Sequence, residues 1–137
     1  MNDDLELLIY FPNGELNTSY VLANANLLLK AGEAKLAAGL FLRVAREKRS
    51  SFNGFYGLAQ CFMKMGKHES AVQALRKAFQ ISRKPYVAFS LIEAALNAGQ
   101  RSEAEQLALE CAVEFVEDME LNQRFRDLYL KVIQPSA

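Results

Sequence analysis

Apolar residues return every three or four positions through most of this chain, the period of a helix with one buried side. Phe55, Leu58, Ala59 and Phe62 make one such stripe, and Ala71, Leu75 and Ala78 make a second. Between them, Lys64 to Lys67 with Gly66 among them is where a helix stops and the chain turns back. The pattern predicts a helical hairpin. Its small residues, Ala59 and Ala71, let the two helices approach closely while aromatic rings fill the space on either side. The signature recurs. Gly32, Gly66 and Gly99 follow one another at almost equal intervals, and Ala37, Ala71 and Ala104 repeat both intervals, each five positions after its glycine. The first copy places Val21, Ala25 and Leu28 on one helix and Ala37, Phe41 and Val44 on the next. The third places Ala88, Leu91, Ile92 and Ala95, then Ala104, Ala108 and Cys111. A repeat of about 34 residues implies stacked helical hairpins.

The expected elements follow in order. Helices near 17–31 and 33–48 form the first pair, 52–65 and 67–81 the second, 85–98 and 101–117 the third. Asn17, Thr18 and Ser19 are candidate N-caps. Pro85 suits a first helical position, and Ser102 with Glu105 suits a capping box. From 120 to 134, Leu121, Phe125, Leu128, Tyr129 and Val132 recur at helical spacing with Arg124, Asp127 and Lys131 between them, and Pro135 stops the run. A stack of hairpins leaves its last apolar face open, and this amphipathic helix would close it or dock on a partner. The organisation is thus an apolar extension over 1–16, three repeats over 17–119 (17–50, 51–84 and 85–119), and a capping helix over 120–134. In the extension, Leu5, Leu7, Leu8, Ile9, Tyr10 and Phe11 precede a turn at Pro12-Asn13-Gly14. Asp3 and Asp4 favour a short helix there. So dense a run cannot face one side: it packs on the first hairpin or meets another chain, which would make a homodimer.

The order Phe55-x2-Leu58-Ala59-x2-Phe62, then Ala71-x3-Leu75, resembles the tetratricopeptide pattern W-x2-L-G-x2-Y…A-x3-F. The first copy departs from it at Asn24 and the third at Ala108. The resemblance implies an all-α fold, a right-handed superhelix of about three helical hairpins with a C-terminal capping helix. It also implies a concave groove, lined by the first helix of each pair, that holds an extended peptide or a helix of another protein. Groove positions are then Asn26, Asn53, Tyr56, Gln60, Met63, Tyr86, Phe89, Glu93 and Asn97; Leu22 and Leu29 sit in the same row but suit packing between repeats. A two-carboxylate clamp for acidic chaperone tails is not implied. Its first lysine position is Leu22, and Tyr86 and Ser90 stand where a lysine and an arginine belong; only Asn26 matches. Rings, methionine and amides instead suit an adaptable apolar contact with backbone hydrogen bonding. A short three-repeat protein with an apolar N-terminal extension is also similar to the bacterial type III secretion chaperones that shield translocator or needle subunits.

Charge adds one feature. The net charge is zero, yet residues 30–84 hold twelve bases against three acids, and residues 93–127 hold nine acids against three bases. These are either solvated helix faces or the two ends of a molecule that associates head to tail, as a self-assembling scaffold would. A neutral total without basic and aromatic interleaving points away from nucleic acid. The acidic start and the shortness of every apolar run predict a cytoplasmic protein with no membrane insertion. Cys61 and Cys111 read as reduced, buried thiols. The single histidine, His68, and the absence of a phosphate loop or CxxC leave no catalytic residue, metal site or cofactor to expect. The expected function is a non-enzymatic interaction module, adaptor or chaperone.

Overall fold

The computed structural model describes residues 9–134. Among them are seven α-helices: α1 Thr18–Lys30, α2 Ala34–Glu47, α3 Phe52–Lys64, α4 His68–Ile81, α5 Pro85–Asn97, α6 Arg101–Glu114 and α7 Met119–Ile133. The fold is all-α. The chain forms two compact units, Met1–Lys67 with α1 to α3 and His68–Ala137 with α4 to α7.

Local chemistry sets the helix ends. Gly32, Gly66 and Gly99 each adopt a positive φ, of 86°, 72° and 77°. The N–H groups around them repeat one bonding pattern three times. Gly32 donates to the Leu29 carbonyl and Glu33 to Leu28; Gly66 donates to Met63 and Lys67 to Phe62; Gly99 donates to Leu96 and Gln100 to Ala95. This is the Schellman ending, which uses up orphan carbonyls and needs a residue without Cβ at its left-handed position. A Cβ at any of the three would meet nothing within 4 Å, so backbone conformation alone selects glycine here. At the other ends, Asn17 caps α1 by accepting from Tyr20 N–H, Ser51 caps α3 through Gly54 N–H, and Asp118 caps α7 through Leu121 N–H. Pro85 opens α5 as expected. The expected capping box at Ser102 does not form. The N-cap of α6 is Gln100, without a side-chain cap, and Ser102 lies inside the first turn. The glycine turn before it restarts the helix too early for Ser102 to cap.

In unit 1, α1 packs on α2 and α2 on α3, with a lighter contact between α1 and α3. Val21, Ala25, Ala37, Phe41, Val44 and Leu58 are buried, while Leu28, Phe55 and Phe62 are half-buried. Gly57 carries the α2–α3 contact: a Cβ there would lie 2.2 Å from Cε1 of Phe41, so the ring lies directly on the backbone. Gly54 repeats this at lower pressure, 3.1 Å from Val44 Cγ1. The N-terminal segment enters this unit. Tyr10 and Leu16 form an isolated antiparallel bridge around the expected turn, and Ile9 and Leu16 join a buried cluster with Val21 and Val44. Of the two options for the apolar extension, packing on the first hairpin holds for these residues; Leu5, Leu7 and Leu8, the short helix expected there and Pro135 lie outside the described residues.

In unit 2, α4 packs on α5, α5 on α6 and α6 on α7. Ala71, Leu75, Ala78, Ala88, Leu91, Ile92, Ala95, Ala104, Ala108 and Cys111 are all buried. The last helix enters through Phe125, which is fully buried and stacks on Phe89 with centroids 4.2 Å apart and on Phe115 at 5.7 Å. Asn122 donates to the Ala112 carbonyl at 2.6 Å, and Arg101 donates to the Val132 carbonyl at 2.7 Å, which fixes α7 at both ends. Bases from the middle of the sequence meet acids from its end here: Arg76 pairs with Glu103, and Arg83 grips Glu114 at 2.7 to 3.0 Å. Every buried residue of the described core is apolar or glycine.

Candidate functional site

The residues expected to line a groove all lie on the first helices, off the buried stripe. In unit 1, α3 turns Gly57, Leu58, Ala59 and Cys61 inward. The spacings 3, 4 and 3 then place Asn53, Tyr56, Gln60 and Met63 on a neighbouring stripe, with Asn53 and Gln60 exposed and Tyr56 and Met63 half-buried. Tyr56 stacks on Phe52 at 5.5 Å, which holds its ring in place. On α1, Asn26 is exposed and Leu22 half-buried, while Leu29 is buried, the packing role its apolar character suited.

In unit 2, α5 exposes Tyr86, Glu93 and Asn97 and half-buries Phe89. Lys84 Nζ lies 5.7 Å from the Tyr86 ring centroid. Phe89 is not an open groove residue like Tyr86. One face of its ring is taken by Phe125, and the guanidinium of Arg124 sits 4.3 Å from its centroid. What remains is a cleft of about 310 Å³ between α5 and α7, lined by Phe89, Arg124, Asp127, Leu128 and Lys131. Its floor is aromatic and aliphatic, and its rim holds two cations and one carboxylate. Such a cleft can seat an apolar side chain and offer donors to an adjoining carbonyl or carboxylate. Arg124 and Lys131 are not among the residues expected at the site. Their signal is the 124, 128, 131 spacing on the last helix, legible as one stripe but not as one beside Phe89.

Cys61 and Cys111 are free and fully buried, and burial pushes both thiols up to about 11. Their thiolates are therefore scarce at neutral pH, which suits packing rather than nucleophilic chemistry. Among the described residues no group of three or more His, Cys, Asp or Glu side chains could hold a metal ion. None of the described helices is long and apolar enough to cross a membrane.

No family model matches the chain, and no curated protein matches it. Solved structures do. The type III secretion translocator chaperone SycD of Yersinia enterocolitica is 19% identical with a TM-score of 0.68, over 84% of this chain and 90% of that one. SycD in complex with a peptide of the translocator YopD gives 20% identity and a TM-score of 0.68, over 83% and 90%. PcrH in complex with the chaperone-binding region of PopD gives 20% and 0.67, over 96% and 92%. The chain thus has the fold of type III secretion translocator chaperones. At this identity the likeness is one of fold.

Proposed function

We propose that this protein is a non-enzymatic, cytoplasmic chaperone built from tetratricopeptide-type hairpins. It holds an apolar segment of another protein, extended or helical, against the faces of its first helices. A translocator-type secretion substrate is the partner class that the fold's neighbours suggest. The observation that carries the reading is the ring, methionine and amide side chains that each unit leaves at the surface of its first helices, beside the stripe those helices bury. Tyr56 and Met63 on α3, and Tyr86 with the Phe89 cleft on α5, offer apolar contact; Asn26, Asn53, Gln60 and Asn97 offer backbone hydrogen bonds. The three identical glycine endings support the repeat assignment.

Tyr56 and Tyr86 are the residues to test. Phe89 is less suitable, because its truncation would also unseat Phe125. Fluorescence anisotropy with a tiled set of labelled translocator peptides, including the YopD and PopD segments, gives the measurement. Tyr56→Ala and Tyr86→Ala should each weaken the best peptide by about tenfold to thirtyfold, with circular dichroism unchanged. Binding that neither substitution alters, or no binding anywhere in the set, would sink the reading.

A further inference from the structure

Two exposed faces, one on each unit, have no role in the core, the caps or the first-helix row. On unit 2, Leu109 and Val113 of α6, Val116 in the turn after it, and Met119 at the start of α7 follow one another at spacings of four, three and three. Their exposures are 48%, 68%, 59% and 85%. The adjoining side of α6 buries Ala104, Ala108, Cys111 and Ala112, so the apolar part of this helix extends well past its buried stripe. The buried stripe already serves its two neighbours, α5 and α7, and a surface helix does not need its apolar face to extend past the side they cover. Between residues 105 and 120 stand six carboxylates and no lysine or arginine; Glu114 is held by Arg83, which leaves five on the rim. The stripe is therefore apolar with an acidic rim.

Unit 1 carries the opposite. Leu27 of α1 and Leu36 of α2, on helices paired through the Gly32 turn, are 65% and 59% exposed. Exposed Lys30 and Lys35 flank them, and exposed Arg46, Lys48 and Arg49 follow at the far end of α2. The exposed acids of this stretch are Glu33 and Glu47, and Glu47 accepts from the Tyr10 hydroxyl at 2.7 Å. Both faces are open in the single chain.

We infer that these two faces bind each other between copies: the basic Leu27–Leu36 face of one molecule seats on the acidic Leu109–Met119 stripe of the next. Charge complementarity selects a second copy of this chain as the occupant. Each face repels its own kind and attracts the other, while the total charge of the molecule stays at zero. The contact is then heterologous: every molecule keeps one free head and one free tail for further copies. None of the residues it uses is one of those assigned to the peptide-holding face, although Leu27 and Lys30 adjoin Asn26 on α1.

Sedimentation velocity tests it on the full chain. The average mass should rise with protein concentration at about 10 mM salt and fall toward the monomer at about 150 mM, as screening shortens from about 30 to about 8 Å. Leu36→Glu removes the head and Val113→Glu the tail; both positions are exposed, and circular dichroism should stay native. Each variant alone should be monomeric, with association weakened at least tenfold. An equimolar mixture should give a dimer and stop there, because only one intact head and one intact tail remain per pair. A wild type that stays monomeric overturns the inference, including one that instead binds a basic amphipathic peptide at Val113. So do variants that assemble like wild type, which would place the contact elsewhere, and a mixture that stays monomeric, which would make the contact isologous.

Discussion

The two units close their helix layers by opposite means. In unit 1, α2 and α3 meet where side chains are missing: the Phe41 ring lies on the Gly57 backbone, and Gly54 admits Val44. In unit 2, α5, α7 and the turn after α6 meet where side chains are largest, in the stack of Phe89, Phe125 and Phe115. One closure tolerates no added atom and the other no lost ring. The difference shows that a helical hairpin period fixes where helices lie but not what fills the space between neighbouring pairs. The same slot is built by subtraction in one place and by addition in the other.

The largest test of that contrast is Phe125→Ala. It empties a fully buried ring site and should cost about 3–5 kcal/mol in urea unfolding. The thiols supply a local readout, since each unit holds one fully buried cysteine pushed up to about 11. At neutral pH a buried thiol is modified only after the structure around it opens. Phe125→Ala should speed modification of Cys111 far more than that of Cys61. Equal acceleration would mean that the two units open together and that the contrast has no energetic meaning.

Gly57→Ala comes next. A Cβ 2.2 Å from the Phe41 ring forces either the ring or α3 to move, at about 1–3 kcal/mol. Here Cys61 should be the thiol that becomes reactive. Gly57→Ala paired with Phe41→Leu should recover most of the loss, because the smaller side chain vacates the contested volume. A neutral or stabilising Gly57→Ala would mean that α3 gains helix propensity with no packing penalty, and unit 1 would not be closed by subtraction.

These two closures also mark where the sequence is legible. Period and spacing place the helices closely, and the Gly32, Gly66 and Gly99 series reads correctly because a left-handed position depends on local backbone alone. Ala59 and Ala71 are legible as small residues for the same reason: they sit in the repeat. Gly57 is not legible, because a glycine inside a helix reads only as a weak helix former, and Phe41 belongs to the preceding helix. Phe89 reads as a free surface ring, since nothing in its own helix announces that Phe125 stacks on it from the last helix of the chain. Ser102 misleads in the other direction. Its capping-box spacing is genuine, but the preceding Schellman turn fixes the helix start at Gln100 and Arg101. Tyr10 and Leu16 are uninformative individually because one isolated bridge has no period. What sequence misses at the candidate site is therefore contact between repeats, not the residues that stand on each.

The smallest effect belongs to the ion pairs of unit 2. Arg83 holds Glu114 with three close contacts, and its guanidinium packs 4.2 Å from the Phe79 ring, so on geometry alone this pair could bolt the link after α4 to the end of α6. Both side chains remain partly in water, however, with 49% and 32% of their surface accessible. Exposed pairs of this kind are worth about 0.2–1 kcal/mol, since water already stabilises the separated charges and two long side chains lose freedom on pairing. A double-mutant cycle with Arg83→Gln and Glu114→Gln should return a coupling in that range, and about 1 M salt should erase most of it. The Tyr10–Glu47 hydrogen bond gives unit 1 a tie of similar exposure, and Tyr10→Phe should cost no more. If the cycle returned more than about 2 kcal/mol, far above the range for exposed pairs, charge and not ring stacking would be the chief closure of unit 2. The contrast drawn from Gly57 and Phe125 would then have been taken from the wrong contacts.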